Sequence, residues 1–204
     1  MEEFVPYNLT TFPLDELERR IGLALDPIEL NRLRAAYEFA ECTHEEKKRN
    51  DGSPYFFHCA RVCRILHEEL GIADADILSA ALLHDVMEDD RSLTHDILTY
   101  NFGMYVAYIV EVLTKDLDKH RSDPDAADYE QVAALQRASE DCLLIRLTAR
   151  LDNFRCLEYS LKRNPLTYIE NTINRYLPLA AESENEKLQY ITKMLLQEKN
   201  KFLG

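Results

Sequence analysis

The residues best equipped for chemistry are His58, the adjacent pair His84-Asp85, and the acidic pair Glu88 and Asp89. His84-Asp85 interrupts an otherwise apolar run, SAALLHDVM. Burying an imidazole beside a carboxylate is costly unless something satisfies both groups. On a continuous helix Asp85, Glu88 and Asp89 stand at i, i+3 and i+4, so three like charges share one face. A divalent cation with bound water would relieve that repulsion, and two imidazoles with a carboxylate oxygen form a donor set suited to manganese, iron or zinc. The plainer reading is a helix end that exposes its acidic residues to solvent. A second stretch, Leu147-Thr-Ala-Arg-Leu-Asp-Asn-Phe-Arg155, interleaves Arg146, Arg150 and Arg155 with Asn153. Guanidinium groups match phosphate oxygens in a bidentate way. A solvated helix face is the competing explanation for those arginines.

The elements that must position these groups read as helices. Five Gly and seven Pro in 204 residues leave little turn chemistry. Apolar residues recur at three- and four-residue spacing over 14–25, from Pro27 to Glu41, and from beyond Pro54 to a stop at Gly71. Asp74 caps the next run, which leads into HDVMEDD. Further helices are expected over 92–100, 104–115, 141–163, 166–180 and 184–199. Two segments read as loops: Glu45–Pro54 (EEKKRNDGSP), and Asp118–Asp128 (DKHRSDPDAAD), which has almost no large apolar residue and predicts a mobile loop. No alternating strand pattern stands out, so the expectation is an all-α fold.

Composition narrows the function. Lys and Arg total 24 against 37 Asp and Glu, a net charge of −13. That surface disfavours duplex nucleic acid or an anionic membrane as main partner, while leaving room for a small anion in a local basic pocket. Lys47, Lys48, Arg49, Lys115, Arg146 and Arg150 are expected to create that pocket. No run approaches the roughly 18–20 apolar residues of a membrane span, and no secretory signal is visible in MEEFVPYNLTTF, so a cytoplasmic protein is expected. The five cysteines (42, 59, 63, 142 and 156) predict reduced, buried thiols, not a disulfide framework.

Five strings in order, HEEKKRNDGSPYFFH (44–58), AALLHDVMEDD (80–90), FGMYVAYIVEVLTK (102–115), IRLTARLDNFRCL (145–157) and NTINRYLPLA (171–180), make the sequence resemble the HD-type hydrolase domain of the RelA/SpoT alarmone enzymes. The match covers about 27–181 and is similar to the stand-alone small alarmone hydrolases. The His-Asp pair alone is shared widely; the Glu-Asp pair after it and Arg49 nine residues before His58 are more specific. The resemblance implies one HD-type domain over 1–204, a bundle of about nine or ten helices, followed within it by a C-terminal helix over about 184–200. It implies His58, His84 and Asp85 as ligands of one Mn2+ ion, and Glu88 and Asp89 as the catalytic pair that positions and deprotonates water. Arg49, Lys48, Lys115, Arg150 and Asn153 become substrate-binding residues. The implied reaction is hydrolysis of the 3′-diphosphate of ppGpp or pppGpp to pyrophosphate and GDP or GTP.

One position departs from the pattern. The family's fourth metal ligand is an Asp where this chain has Ala149, so activity is expected to be lost or impaired. Three explanations stand side by side. Asp152 substitutes, although it lies about 60° round and about 4.5 Å along the helix. Or the chain is a nucleotide-binding pseudo-enzyme or an antitoxin-like regulator of a synthetase counterpart. Or an Asp→Ala replacement has been introduced to silence the enzyme, the reading preferred because the other motif positions are intact. An HD phosphohydrolase of ordinary or adenosine-based nucleotides is the alternative within enzymes; Asn50, where a basic residue is frequent, bears on guanine against adenine. Cys59 and Asp90 replace a usual Pro and Thr. Leu188, Ile191, Leu195 and Leu196 stand at helical spacing, so the last helix either packs on the domain or mediates a homo-oligomer.

Overall fold

The computed structural model describes residues 4–159 and 164–203. Thirteen α-helical segments occur among them: α1 (Leu14–Ile21), α2 (Pro27–Thr43), α3 (Phe56–Glu68), α4 (Ala75–Leu83), α5 (Val86–Asp89), α6 (His95–Phe102), α7 (Met104–Leu113), α8 (Leu117–Ser122), α9 (Pro124–Leu135), α10 (Glu140–Arg155), α11 (Pro165–Asn171), α12 (Leu177–Ala181) and α13 (Glu186–Leu203). Ten have seven residues or more, as expected. Among the described residues the only extended pairing is an isolated bridge between Lys48 and Pro54, so the fold is all-α. None of these helices is long and apolar enough to cross a membrane.

Local chemistry explains the helix starts. Asp26 accepts from the amides of Ile28 and Glu29 while the Glu29 side chain reaches back to the Asp26 amide, and Pro27 takes the first helical position. Asp74 caps α4 in the same manner. After α3 the chain turns at Gly71, whose φ of +65° is a conformation that a side chain disfavours.

Helix α10 runs through the middle, packing against α3, α4, α7, α9 and α13. Residues 142–152 are buried throughout, including Arg146, Arg150 and Asp152. The apolar stripe of α13, Leu188, Ile191 and Leu195, is buried, and α13 packs on α10; Leu196 stays exposed. Of the two alternatives for this helix, packing on the domain is the one the structure displays. Four of the five cysteines are buried and none is bonded; Cys42, expected to be buried, is exposed.

The segment 118–128 is not the expected loop. It forms α8 and the start of α9, capped by Asp116 on the amides of Asp118 and Lys119 and by Asp123 on that of Ala126, with Pro124 opening α9. The scarcity of large side chains misled because these short helices expose most of their surface; cap and proline carried the signal. The helix expected over 141–163 ends at Arg155, a 3-10 turn follows at Leu157–Tyr159, and residues 160–163 lie outside the described residues. The helix expected over 166–180 is broken into α11, a π-turn at Thr172–Tyr176, and α12.

Candidate functional site

Three stretches converge on one cavity of about 680 Å³. The first is the turn before α3. Arg49 N–H donates to the Ser53 carbonyl, Asp51 accepts from the Ser53 amide and hydroxyl, and Gly52 turns at φ +87°. That turn sets Lys47, Lys48 and Arg49 on the cavity wall and feeds Tyr55 and His58 into α3. The second is the junction of α4 and α5. Asp85 adopts φ −112°, ψ 0°, the sparsely populated bridge region, and so ends one helix and starts the next. The third is α10, which supplies Arg146, Ala149, Arg150 and Asn153.

His58, His84 and Asp85 come together in the cavity wall, each buried, with donor atoms within 4.8 Å of one another. It is the one such donor cluster among the described residues. Their hydrogen bonds make the set fit a divalent cation. His58 Nδ1 is 2.7 Å from Asp152 Oδ2, and His84 Nδ1 is 2.8 Å from the Ala81 carbonyl. Each ring therefore spends Nδ1 on the protein and keeps the lone pair of Nε2 for the site. Asp85 Oδ2 lies 3.2 Å from His84 Nε2 and accepts from the Tyr55 hydroxyl at 2.7 Å. Ala149, 3% exposed, lines the same cavity and offers a methyl group.

The electrostatics follow from burial and pairing. Burial lowers His58 to about 3, helped by the Arg49 charge and against the pull of Asp152, so the ring is neutral and able to donate electrons to a metal. For His84, burial works downward but the Asp85 carboxylate outweighs it and the shift is upward. Asp85 is held well below the usual carboxylate range, burial notwithstanding, by His84 and His58. Burial and the nearby Asp85 charge push Glu88 up to about 7.

The three carboxylates do not share a face. Glu88 lines the cavity and accepts from the Lys115 amide at 3.0 Å. Asp89 instead pairs with His44 Nδ1 at 2.6 Å and with the Lys47 ammonium, and lines a neighbouring surface hollow. Asp85 and Glu88 both line the cavity, whereas Asp89, the next residue along α5, stands about 100° round the helix from Glu88. Asp152 also stands apart from the donor set. Both its oxygens are taken by Arg61, Tyr7 and His58, and it sits on the Nδ1 edge of the His58 ring, away from Nε2. The alternative in which Asp152 stands in for the missing ligand does not fit this geometry.

All six cations expected to make a basic pocket, Lys47, Lys48, Arg49, Lys115, Arg146 and Arg150, line the cavity. Arg49 donates to Asn153 Oδ1; Arg150 donates to Thr172 Oγ1 at 2.7 Å and lies 3.5 Å above the Tyr176 ring. Sequence reasoning did not single out the rest of the wall: Asn164, Thr167, Tyr168 and Asn171 around α11, Leu117 at the start of α8, and Pro124, Asp125 and Asp128 from the supposed loop. Asn171 opens the string NTINRYLPLA, which was the available signal. His120 lies in that wall too. His44 is buried.

Asp128 ties this wall together, accepting from Lys115 Nζ at 2.8 Å, Tyr176 hydroxyl at 3.0 Å and Asn171 Nδ2 at 2.7 Å. Burial would raise its pKa, but Lys115, Arg150 and these hydrogen bonds bring it down to about 2. An unfolded Asp titrates near about 3.9. The stability lent by Asp128 is thus complete above about pH 4 and is lost as pH falls toward 2. Asp128→Asn is expected to lower the melting temperature at pH 7 and flatten the acid limb between pH 4 and 2. Parallel curves for the two proteins across that window would contradict this.

An all-helical fold in which an adjacent His-Asp pair meets a second histidine in a cavity wall is the architecture of the HD domain, and the HD-domain family matches residues 36–184. The chain belongs to that family, in its branch of RelA/SpoT-type ppGpp hydrolase domains. Mouse guanosine-3′,5′-bis(diphosphate) 3′-pyrophosphohydrolase MESH1 is 32% identical over 179 residues, covering 84% of this chain and 96% of that one. Streptomyces coelicolor GTP pyrophosphokinase is 35% identical over 178 residues, 86% of this chain but 20% of that longer protein. A solved structure of a metazoan ortholog of SpoT superposes with a TM-score of 0.71 at 24% identity, covering 82% of this chain and 95% of that one, a likeness of fold.

Proposed function

We propose that this chain binds ppGpp or pppGpp in the central cavity and hydrolyses the 3′-diphosphate, at a rate limited by Ala149. The observation that carries the reading is the convergence of His58, His84 and Asp85 on a cavity walled by six cationic side chains in a protein of net charge −13. The cations share that lining with Asp51, Asp85, Glu88, Asp125 and Asp128, and in a protein whose body repels anions their gathering there favours a phosphorylated ligand. The name of the mouse relative, a guanosine-3′,5′-bis(diphosphate) 3′-pyrophosphohydrolase, supports the choice of nucleotide.

His58, His84 and Asp85 would hold the cation; this mixed N/O set accepts manganese, iron or zinc, and Mn2+ is the ion that the family resemblance implies. When bound there it supplies Lewis-acid polarisation and water of lowered pKa. The chain's own groups do the rest. Water attacks the phosphorus bonded to O3′, the P–O3′ bond breaks, and the electron pair leaves on O3′, which takes a proton. Glu88, with a pKa near 7 and a place in the cavity wall, is suited to accept the proton of the attacking water. Asp89 supports it by fixing Lys47 and His44 behind α5. Lys115 and Arg150 take phosphate oxygens, Arg49 and Lys48 flank the base, and Asn153 contacts the nucleoside. Ala149 leaves the cation one protein donor short. Tight binding without cleavage is the second reading, and the Ala149 methyl in the cavity is what favours it.

Pyrophosphate release from ppGpp, pppGpp, the adenosine counterpart, GTP and ATP, measured with Mn2+, tests the proposal. Release from the guanosine 3′-diphosphates alone is the expected result. Cleavage of GTP or ATP instead would move the chain to ordinary nucleotides, and micromolar binding of ppGpp with no release at any Mn2+ concentration would leave a binding protein.

A further inference from the structure

Behind His58 lies a buried ion pair whose own side chains do not line the cavity. Arg61 and Asp152 are both fully buried. Arg61 Nε donates to Asp152 Oδ1 at 2.6 Å and Nη2 to Oδ2 at 3.1 Å, a two-pronged pairing. The Tyr7 hydroxyl donates to Oδ1 at 3.0 Å, His58 Nδ1 lies 2.7 Å from Oδ2, and Arg49 Nη1 stands 3.8 Å from the same oxygen. Arg61 Nη1 is anchored in turn on the backbone carbonyls of Asn8 and Thr10, at 3.1 and 2.8 Å. A continuous chain of hydrogen bonds therefore runs from the segment before α1, through Arg61 and Asp152, to one imidazole of the donor set.

A buried ion pair is poor value as a stabiliser, because desolvating both charges offsets most of their attraction. It gains purpose where it fixes a geometry. On its Nδ1 side His84 leans on a neutral carbonyl, the Ala81 oxygen. His58 leans on a full carboxylate that is itself locked on two sides. A carboxylate on the far nitrogen fixes a ligand histidine's tautomer and raises its basicity. That support matters most where a donor is missing, and Ala149 supplies none.

We infer that Asp152 and Arg61 are positioning residues for the cation site, holding the His58 ring in its Nδ1–H tautomer with Nε2 aimed at the ion, and that the segment bearing Asn8 and Thr10 is part of the same device. The inference rests on the cation reading of His58, His84 and Asp85, and the experiment separates the two.

Mn2+ affinity is measured by calorimetry on the full chain and on two variants, with metal-free stability measured alongside. Asp152→Asn leaves Arg61 buried without its partner and so tests folding as well as function. The double variant Arg61→Met/Asp152→Asn removes both charges at similar volume and is expected to fold. It should bind Mn2+ about 10–100-fold more weakly than the parent. A purely structural role would shift metal-free stability and leave the affinity of the folded protein unchanged, which would overturn the inference. Nitrogen NMR of the unmodified, metal-free chain gives an answer independent of any variant: the Nδ1–H form of His58 is expected, and the Nε2–H form would overturn it. A parent chain that binds no Mn2+ would remove the cation reading, and this inference with it.

Discussion

Ala149→Asp is expected to raise pyrophosphate release from ppGpp by roughly two orders of magnitude and to tighten Mn2+ binding by at least about tenfold. The site already holds two imidazoles and one carboxylate, with both rings oriented through Nδ1. Ala149 stands on the cavity wall in the rigid, buried middle of α10, so a carboxylate introduced there starts from a fixed Cα and needs no loop to move. The change has a cost that serves as a control. Without metal, a new carboxylate in this wall meets Asp85 and Glu88, and like charges in a buried site repel. The metal-free variant should therefore melt below the parent, and Mn2+ should raise its melting temperature by more than it raises the parent's. A variant that folds, binds Mn2+ no better and stays silent would count against hydrolysis and favour the binding-protein reading.

Glu88→Gln is expected to cut turnover by about 10²–10⁴-fold while making the metal-free protein more stable at pH 8. Gln retains an oxygen to accept the Lys115 amide, so the local hydrogen bond survives. It loses the ability to take a proton. Burial and Asp85 raise Glu88 to about 7, above the roughly 4.3 of an unfolded Glu. Below about pH 4 the group is protonated in both states and costs nothing. Between 4 and 7 the unfolded chain ionises it and the folded chain does not, so stability falls as pH rises, and the deficit is complete above 7. Parent and variant should thus have similar melting temperatures near pH 4 and diverge by pH 8, the parent being lower by on the order of 1 kcal/mol in stability. Retained activity in the Gln variant would transfer the proton-accepting role elsewhere, with Asp89 the next group to test.

The chemistry was legible in residue types and spacing because a buried His-Asp dipeptide in an apolar helix is expensive, and expense calls for a ligand. His58, His84 and Asp85 do meet, and the six lysines and arginines singled out for a basic pocket do line one cavity. Helix starts at Pro27 and Asp74 were readable because caps are local chemistry. The 118–128 segment was misread because apolar content is a measure of burial, and α8 and α9 expose much of their surface while their capping aspartates fold them. The shared face of Asp85, Glu88 and Asp89 failed at Asp89, because His44 and Lys47 claim its carboxylate, and periodicity cannot announce a partner about 45 positions away in the chain.

By itself the sequence determined the donor types, the helical class, the acidic body with its cationic insert, and the absence of a carboxylate at position 149. Only the tertiary structure decided which groups face the cavity. It turned Asp89 toward His44 and Lys47, and brought α11 and α9 round to complete the wall. It also set Asp152 on the far nitrogen of His58, 94 positions away in the chain, with Arg61 behind it. Spacing along a chain constrains neighbours within a turn or two of helix, whereas the direction of an imidazole lone pair depends on partners that only packing brings together.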